Sequence, residues 1–315
     1  MLVVGATPAS GQSASTGPGQ AYPHKPIRIV APEAGGNGDF NARLIALGLA
    51  GSFGQSVIVD NRAGNVLIPV QAVLNASRDG YTLLMLGTNF WIVPLLQKMD
   101  YDPVRDFLPI TLVSIAPGVL VAHPAVPAKS VRDLIALAKA KPAELNYASS
   151  GTGTPQHMAA ELFKSMAGVD LVHVPFKGGG PAILALLGGR VQLMFASASS
   201  VAPQLKTGKL GALAVTSADP SPLLPGVPTI AASGLPGYVS VSMIAAFAPA
   251  QTPLPIVRRL NREMQAVVRH PDFKQKFLDS GVEPVGNSAD QLAAVMKSEI
   301  GRLGKVIKDA GIRAD

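Results

Sequence analysis

The chain has 315 residues, 48% of them hydrophobic, and carries a formal charge of +7 with a pI near 9.7. That length suffices for one large domain or two of ordinary size. The basic balance does not point to nucleic acid: no run of four Lys or Arg occurs and only 5% of residues are aromatic, whereas nucleic-acid binders concentrate charge on one face and add stacking platforms. Cysteine is absent, which excludes disulfides, thiolate metal sites and a Cys nucleophile. The five histidines (His24, His123, His157, His173, His270) form no HxxxH-type spacing, so neither a metal site nor a cofactor is expected.

Residues 1–21 are small, uncharged and rich in Gly, Ser and Pro. They read as a signal-peptide remnant followed by a flexible spacer, with the basic start of such a leader missing. No stretch of 18 apolar residues follows, so no transmembrane span is expected. Strand and helix signals alternate from residue 27 onward. Ile27–Val30 is a short apolar run before a Gly-rich turn, and Phe40–Leu49 reads as a helix. Val57–Val59, Leu83–Leu86, Val119–Ala122, Leu145–Tyr147, Val172–Val174, Leu193–Phe195 and Leu213–Val215 are further strands. Ser130 with Asp133, and Ser288 with Gln291, have capping-box spacing before helical stripes. Thr154 with Pro155 opens another helix, which Gly168 ends.

Apolar strands separated by helices predict an α/β fold with mostly parallel sheets covered on both faces. So many units exceed one compact sheet, and two lobes with a ligand cleft between them are the simpler reading. The apolar stretch Pro109–His123 then runs from one lobe into the other, and Val239–Pro249 carries the chain back. This places residues 22–112 plus 238–315 in the first lobe and 113–237 in the second.

Two loops carry the chemistry. The first contains Pro32, Glu33, Ala34, Gly35, Gly36, Asn37, Gly38 and Asp39, between a strand and a helix. Glycines bring backbone N–H groups close to a ligand, and a helix N-terminus adds partial positive charge, so the loop suits an anion. Asp39 sits where an N-cap belongs. The glycines do not make a GxGxxG dinucleotide fingerprint. The second loop contains Ser149, Ser150, Gly151, Thr152, Gly153, Thr154, Pro155, Gln156 and His157, again between a strand and a helix. It is neither a Walker A loop nor a GxSxG elbow. Hydroxyls and backbone N–H groups are expected to converge there on an anion, and His157 is either a capping residue or a cleft contact.

Further candidates lie in other loops after strands: Thr88, Asn89 and Phe90 beside the lone Trp91, then Lys177, then Ala196 and Ser197. In open α/β sheets ligands meet the carboxyl ends of strands. No Ser/His/Asp set or paired carboxylates stand out. Neutral donors and glycine backbone hold an anion without doing chemistry, which weighs against an enzyme.

At these residues the chain resembles the Bug-type substrate-binding proteins of tripartite tricarboxylate transporters, over about Tyr22–Ile312. The resemblance rests on Tyr22, Pro23, Lys25, Pro26, Ile27 and Arg28, then Gly54 and Gln55 with Val59, Asn61 and Arg62. It continues in Asp79 to Leu83, Tyr101 to Pro103, Leu145 to Ser149, Val174 to Gly178, Leu213 to Ser217, Pro228 with Thr229, and Gly234 to Tyr238. It implies a two-lobed periplasmic-binding-protein fold of type II-like kind that closes on a small organic acid. The ligand's carboxylate is then held by the loop after the first strand and by the loop matching Ser149–His157, and is passed to membrane-embedded transporter subunits.

Two departures narrow the expectation. Glu33 and Ala34 follow Pro32 where relatives usually have an aromatic and one more residue. Ala196 follows Phe195 where many relatives carry an Asp that meets a ligand amine. The ligand is therefore expected to be a plain carboxylate, not an amino acid, and the chain a periplasmic monomer. A sensor subunit for a histidine kinase, or a small-molecule enzyme, are the alternative readings.

Overall fold

The computed structural model describes residues 22–309, 311 and 312. The expected leader, residues 1–21, lies outside the described residues. The first segment contains β1 (Ile27–Ala31), α1 (Asn37–Phe53), β2 (Val57–Asn61), α2 (Leu67–Leu74), β3 (Thr82–Gly87) and α3 (Asn89–Leu96). The long strand β4 (Phe107–Ala122) leads into α4 (Val131–Ala140), β5 (Asn146–Ser149), α5 (Pro155–Ala167), β6 (Val172–Pro175), α6 (Gly179–Leu187), β7 (Leu193–Ser197), α7 (Ala198–Lys206) and β8 (Gly211–Val215). Then come β9 (Val241–Pro249), α8 (Leu254–Arg269), α9 (Pro271–Asp279), β10 (Glu283–Pro284) and α10 (Ala289–Asp309).

The sheet runs β2-β1-β3-β9-β4-β7-β5-β6, with β8 and β10 also pairing with β4. The expectation of mostly parallel sheets is corrected here. The outer strands pair in parallel, β1 with β2 and β3, and β5 with β6 and β7. Every pairing of β4 or β9 is antiparallel. The reason is connectivity. These two strands lack the βα crossover that a parallel neighbour needs, and they run in opposite directions between the two halves.

β4 changes partners in mid-strand. Up to Pro117 it pairs with β9 (Pro117 opposite Val241), and from Gly118 with β7 and β8 (Gly118 opposite Ser197, Val119 opposite Val215). Proline cannot donate to a ladder, so Pro117 sits where one set of pairings ends. The two halves of the fold meet at this dipeptide.

Local signals explain most helix boundaries. Ser130 Oγ accepts the Asp133 N–H at 3.1 Å while Asp133 accepts the Lys129 N–H. Ser288 and Gln291 exchange the same pair of bonds at 2.9 and 3.2 Å. Gly168 closes α5 at φ 60°, in the left-handed region. The helix expected from Phe40 instead starts at Asn37, one turn early, with Gly36 as its N-cap. Asp39 is thus the third helical residue and not the cap.

Trp91, Phe90, Phe107, Phe247 and Tyr101 form one aromatic cluster beneath α3. Pro94 lies inside α3 and has no N–H for the carbonyl four residues back. Tyr101 fills the gap: its hydroxyl donates to the Phe90 carbonyl at 2.8 Å. α10 packs on β4, α3 and α5 and so spans both halves, burying Leu292, Met296, Leu303, Val306 and Ile307.

Candidate functional site

A cavity of about 220 Å³ opens at the β4 crossing. Its floor is Ala116, Pro117 and Gly118 of β4 with Ser240, Val241 and Ser242 at the start of β9. Asn37 of α1 lines one side, and Gln156 of α5 and Ser197 at the start of α7 line the other. Ala196 and Thr216, at the ends of β7 and β8, complete that side. A smaller cavity of about 30 Å³ joins it through Pro155, Ser240 and Val241, and adds Thr88, Asn89, Gly153 and Glu299.

Glu299 is the one ionisable side chain lining either cavity among the described residues. Its carboxylate is already paired with Arg302 one turn away on α10. The larger cavity is neutral and polar, built from amides and hydroxyls. The positive potential there comes from helix ends. Asn37 is the first residue of α1, Asn89 the first of α3, Gln156 the second of α5, and Ser197 the N-cap of α7. First-turn N–H groups have no intrahelical partner and carry partial positive charge. Three such termini, those of α1, α5 and α7, around the neutral larger cavity, with that of α3 at the smaller one, favour a small anion.

Gly118 is required by close approach. A Cβ there would lie 2.9 Å from Thr216 Oγ1 and 3.2 Å from the Ala196 carbonyl. Thr216 Oγ1 accepts the Gly118 N–H at 2.8 Å. The floor of the cavity is thus backbone, held tightly by one hydroxyl.

The loop before α1 is organised by Asp39. Its side chain is 7% exposed and accepts the Gly35 N–H at 2.9 Å and the Asn61 amide at 2.9 Å, while Arg43 Nε pairs with it at 2.9 Å. Burial pushes the Asp39 carboxyl up, but the bonds from Arg43, Gly35 and Asn61 outweigh it and hold the acid below its usual range. Asp39 therefore shapes the loop. Asn61 also donates to the Pro32 carbonyl at 2.8 Å, clamping the loop to β2. Gly38 is buried, its Cα close under the Pro32 ring. Ala34 and Gly35 are exposed, and Gly36 is half-buried. Glu33 is exposed and lines neither cavity.

The second loop behaves differently from the expectation that its hydroxyls converge on an anion. Ser149 Oγ is buried, accepts the Gly151 N–H at 3.2 Å and bonds His173 Nε2 at 2.7 Å. Ser150 Oγ donates to the Gln156 side chain at 2.9 Å, and Thr154 Oγ1 to the Gly151 carbonyl at 2.7 Å. These hydroxyls are spent within the loop. A buried polar side chain takes the nearest partner, and here the nearest partners are the loop's own. Thr152 is exposed, and Gly153 reaches the smaller cavity.

His157 lies behind the loop. Its Nδ1 accepts the Gly153 N–H at 3.0 Å, and its ring stacks on His173 with centroids 4.0 Å apart. Tyr147 lies nearly parallel to both rings, 4.9 Å from His173 and 6.4 Å from His157. Glu161 receives the Tyr147 hydroxyl at 2.6 Å and the Lys164 ammonium at 2.9 Å. Burial pushes both histidines down, His173 to about 4 with help from the neighbouring His157.

Among the sequence-derived candidates, Asn37, Ala196 and Ser197 line the larger cavity, and Thr88, Asn89 and Gly153 the smaller. Phe90 is corrected: its ring is fully buried in the aromatic cluster, because the expected loop is the helix α3. Trp91 is likewise core. Lys177 is exposed and lines neither cavity. Sequence reasoning missed Thr216, Ser240, Ser242 and the Pro117–Gly118 crossing. A Pro-Gly pair inside an apolar strand was the one available signal.

The model of the tripartite tricarboxylate transporter family receptor matches residues 41–312. Protein BugT of Bordetella pertussis is 33% identical over 99% of this chain and 98% of its own length. The R. palustris protein Rpa4515, solved with adipate, is 37% identical with a TM-score of 0.74, covering 93% of this chain and 99% of its own. MatC of Rhodopseudomonas palustris, solved with bound malate, is 31% identical with a TM-score of 0.69, covering 91% of this chain and all of its own. Both neighbours share the two-lobed periplasmic-binding-protein fold of this chain. With a family model over most of its length and relatives this similar end to end, the chain belongs to the receptor family of the tripartite tricarboxylate transporters.

Proposed function

We propose that this protein is a periplasmic, monomeric receptor that captures a small dicarboxylate between its lobes and hands it to membrane-embedded transporter subunits without chemical turnover. The observation that carries the reading is the neutral, polar cavity of about 220 Å³ ringed by helix N-termini. It is smaller than the roughly 300 Å³ at which drug-sized sites begin, which suits a short acid. The solved relatives hold adipate and malate, and both are acids of this kind. Ala196 leaves no carboxylate in the larger cavity to meet an amine, and Glu299 is engaged by Arg302. This favours a plain dicarboxylate over an amino acid.

The proposed lobes are residues 22–112 plus 238–315, and 113–237, with the hinge where β4 and β9 cross. The ligand bridges them: Asn37 and the α1 terminus from one side, Gln156, Ala196 and Ser197 from the other. Contact with both lobes biases the hinge toward closure.

The test is a thermal-shift screen of dicarboxylates, tricarboxylates and aromatic acids, followed by calorimetry on each hit. A ligand that binds only the folded state raises the melting temperature by mass action. Scattering at saturating ligand should show compaction. Tight binding of aspartate or glutamate, with none of malate, adipate or their homologues, would sink the dicarboxylate assignment.

A further inference from the structure

The 149–154 loop is held from behind by two rings that touch no cavity. His157 Nδ1 accepts the N–H of Gly153, and His173 Nε2 bonds Ser149 Oγ, which accepts the N–H of Gly151. Gly151 and Gly153 both have positive φ, 136° and 75°, conformations open to glycine without steric cost, so the loop's shape depends on what its amides bond. The two imidazoles thus set the two backbone amides that give the loop its shape. The loop in turn places Gly153 in the smaller cavity and Pro155 and Gln156, the first turn of α5, at the larger one.

We propose that His157 and His173 are positioning residues that keep this loop ready for an anion only while both rings are uncharged, so that acidification releases the bound acid. This rests on the reading of the cavity as a carboxylate site and adds a means by which its affinity is set. The geometry gives the reason. Nδ1 can accept the Gly153 N–H only if it carries no proton, so the His157 proton sits on Nε2, on the side of Glu161 Oε1 at 3.9 Å. A second proton can only go to Nδ1, where it faces the Gly153 N–H and expels it. The parallel rings, 4.0 Å apart, also cannot both carry charge without repulsion.

The groups around the pair keep it uncharged. Glu161, which takes bonds from Tyr147 of β5 and Lys164 of α5, favours an imidazolium, but burial with the Lys164 charge opposes it and outweighs it. α10, on the other side of α5, brings Glu299 and Arg302, which pair with each other beside the smaller cavity. Burial lowers the proton affinity of both rings. The sign follows. Neutral rings favour the shaped loop, so binding is complete while the rings of the folded protein stay uncharged and falls as the pH drops through their lowered values, about 4 for His173.

Two substitutions separate positioning from packing. His157→Asn offers an amide oxygen near the Nδ1 position and cannot titrate in this range. His157→Phe keeps the stacked ring and loses the acceptor. Calorimetry with adipate and with malate at pH 8.0 and in steps downward should show wild-type affinity held until the rings titrate and then falling by up to about tenfold per pH unit for each proton displaced. His157→Asn should bind at pH 8.0 and lose the pH dependence. His157→Phe should bind about tenfold more weakly at pH 8.0 already, because the Gly153 N–H is left without a partner. Equal affinity of His157→Phe and wild type, or a wild-type pH slope in His157→Asn, would overturn the proposal while leaving the carboxylate site intact.

A ligand-free readout decides the matter if neither acid binds wild type, an outcome that counts against the carboxylate reading alone. Nitrogen-15 NMR of the imidazoles should find His157 protonated on Nε2, and the Gly151 and Gly153 amide signals should move with the histidine titration. A His157 protonated on Nδ1, or glycine amides indifferent to that titration, would end the proposal even so. The same spectra report whether His157→Phe is folded. If it is not, His157→Asn and the NMR titration decide.

Discussion

Thr216 Oγ1 accepts the Gly118 N–H at 2.8 Å, and with that bond the end of β8 fixes the point where β4 passes from one half of the sheet to the other. Thr216 is fully buried and Gly118 has no room for a side chain. Replacing Thr216 with Val removes the acceptor at nearly constant shape. The orphaned N–H should cost about 1–3 kcal/mol in chemical denaturation, while Thr216→Ser restores most of it. Because the pair forms the cavity floor, Thr216→Val should also weaken binding of malate or adipate in calorimetry. Wild-type stability in Thr216→Val would show that the bond is not needed.

Phe90 separates core from site. Its ring stacks on Tyr101 at 5.5 Å, meets Phe107 edge-to-face at 5.0 Å, and is wholly buried. Phe90→Ala should cost about 3–5 kcal/mol of stability, and Phe90→Leu less, with ligand affinity of the folded fraction unchanged in both. A large loss of affinity in Phe90→Leu at wild-type stability would return Phe90 to the site.

Gly36 tests the first loop. It is the N-cap of α1 at φ −87°, and a Cβ there meets nothing closer than the Glu33 carbonyl at 3.8 Å. The fold should therefore accept Gly36→Val with a loss of about 1 kcal/mol, the usual cost of a poor cap. Gly36 lines neither cavity but precedes Asn37, which lines the larger one; if this loop holds the anion as proposed, affinity should fall at least tenfold. Unchanged affinity would remove this loop from the site.

Ala196 tests the charge of the cavity. Ala196→Asp places a carboxylate against the bound acid in a region of reduced dielectric. Like charges about 4 Å apart repel by several kcal/mol at an effective dielectric near 20, so malate and adipate binding should be lost while the protein still melts cooperatively. Retained affinity would mean that the acid lies elsewhere.

Asp39, His157 and His173 each shape the acid stability. Asp39 is held below its usual range, so its contribution is full above 3.8 and is lost as the pH falls through its lower folded value. The histidines act earlier: their contribution is full above 6.5 and is lost as the pH falls through their lowered folded values, about 4 for His173. A melting-temperature profile should therefore decline in two stages on acidification. Asp39→Asn should lower the stability at neutral pH by about 2 kcal/mol by weakening the bonds to Gly35, Asn61 and Arg43, and should shrink the lower stage, to which Asp106 and Asp133, also held below their usual range, contribute the rest.

Much of this protein was determined by sequence alone. Local signals act over a few residues, so the capping boxes at Ser130 and Ser288, the Gly168 stop and the strand-loop-helix placement of both glycine-rich loops could be read directly. Family landmarks from Tyr22 to Tyr238 carried the fold, because their order and spacing are properties of the chain. Tertiary structure decided the rest. The antiparallel course of β4 and β9 depends on which strands lie next to each other, and no local pattern encodes that. Phe90 and Trp91 look like loop residues until α3 folds onto the core. The hydroxyls of Ser149, Ser150 and Thr154 read as ligand donors, yet each has a nearer partner in its own loop. Thr216, Ser240 and Gly118 come from segments that meet only at the crossing. The residues that hold the loop's shape, His157 and His173, stand 16 positions apart in the chain and become one unit only when β6 is laid beside β5.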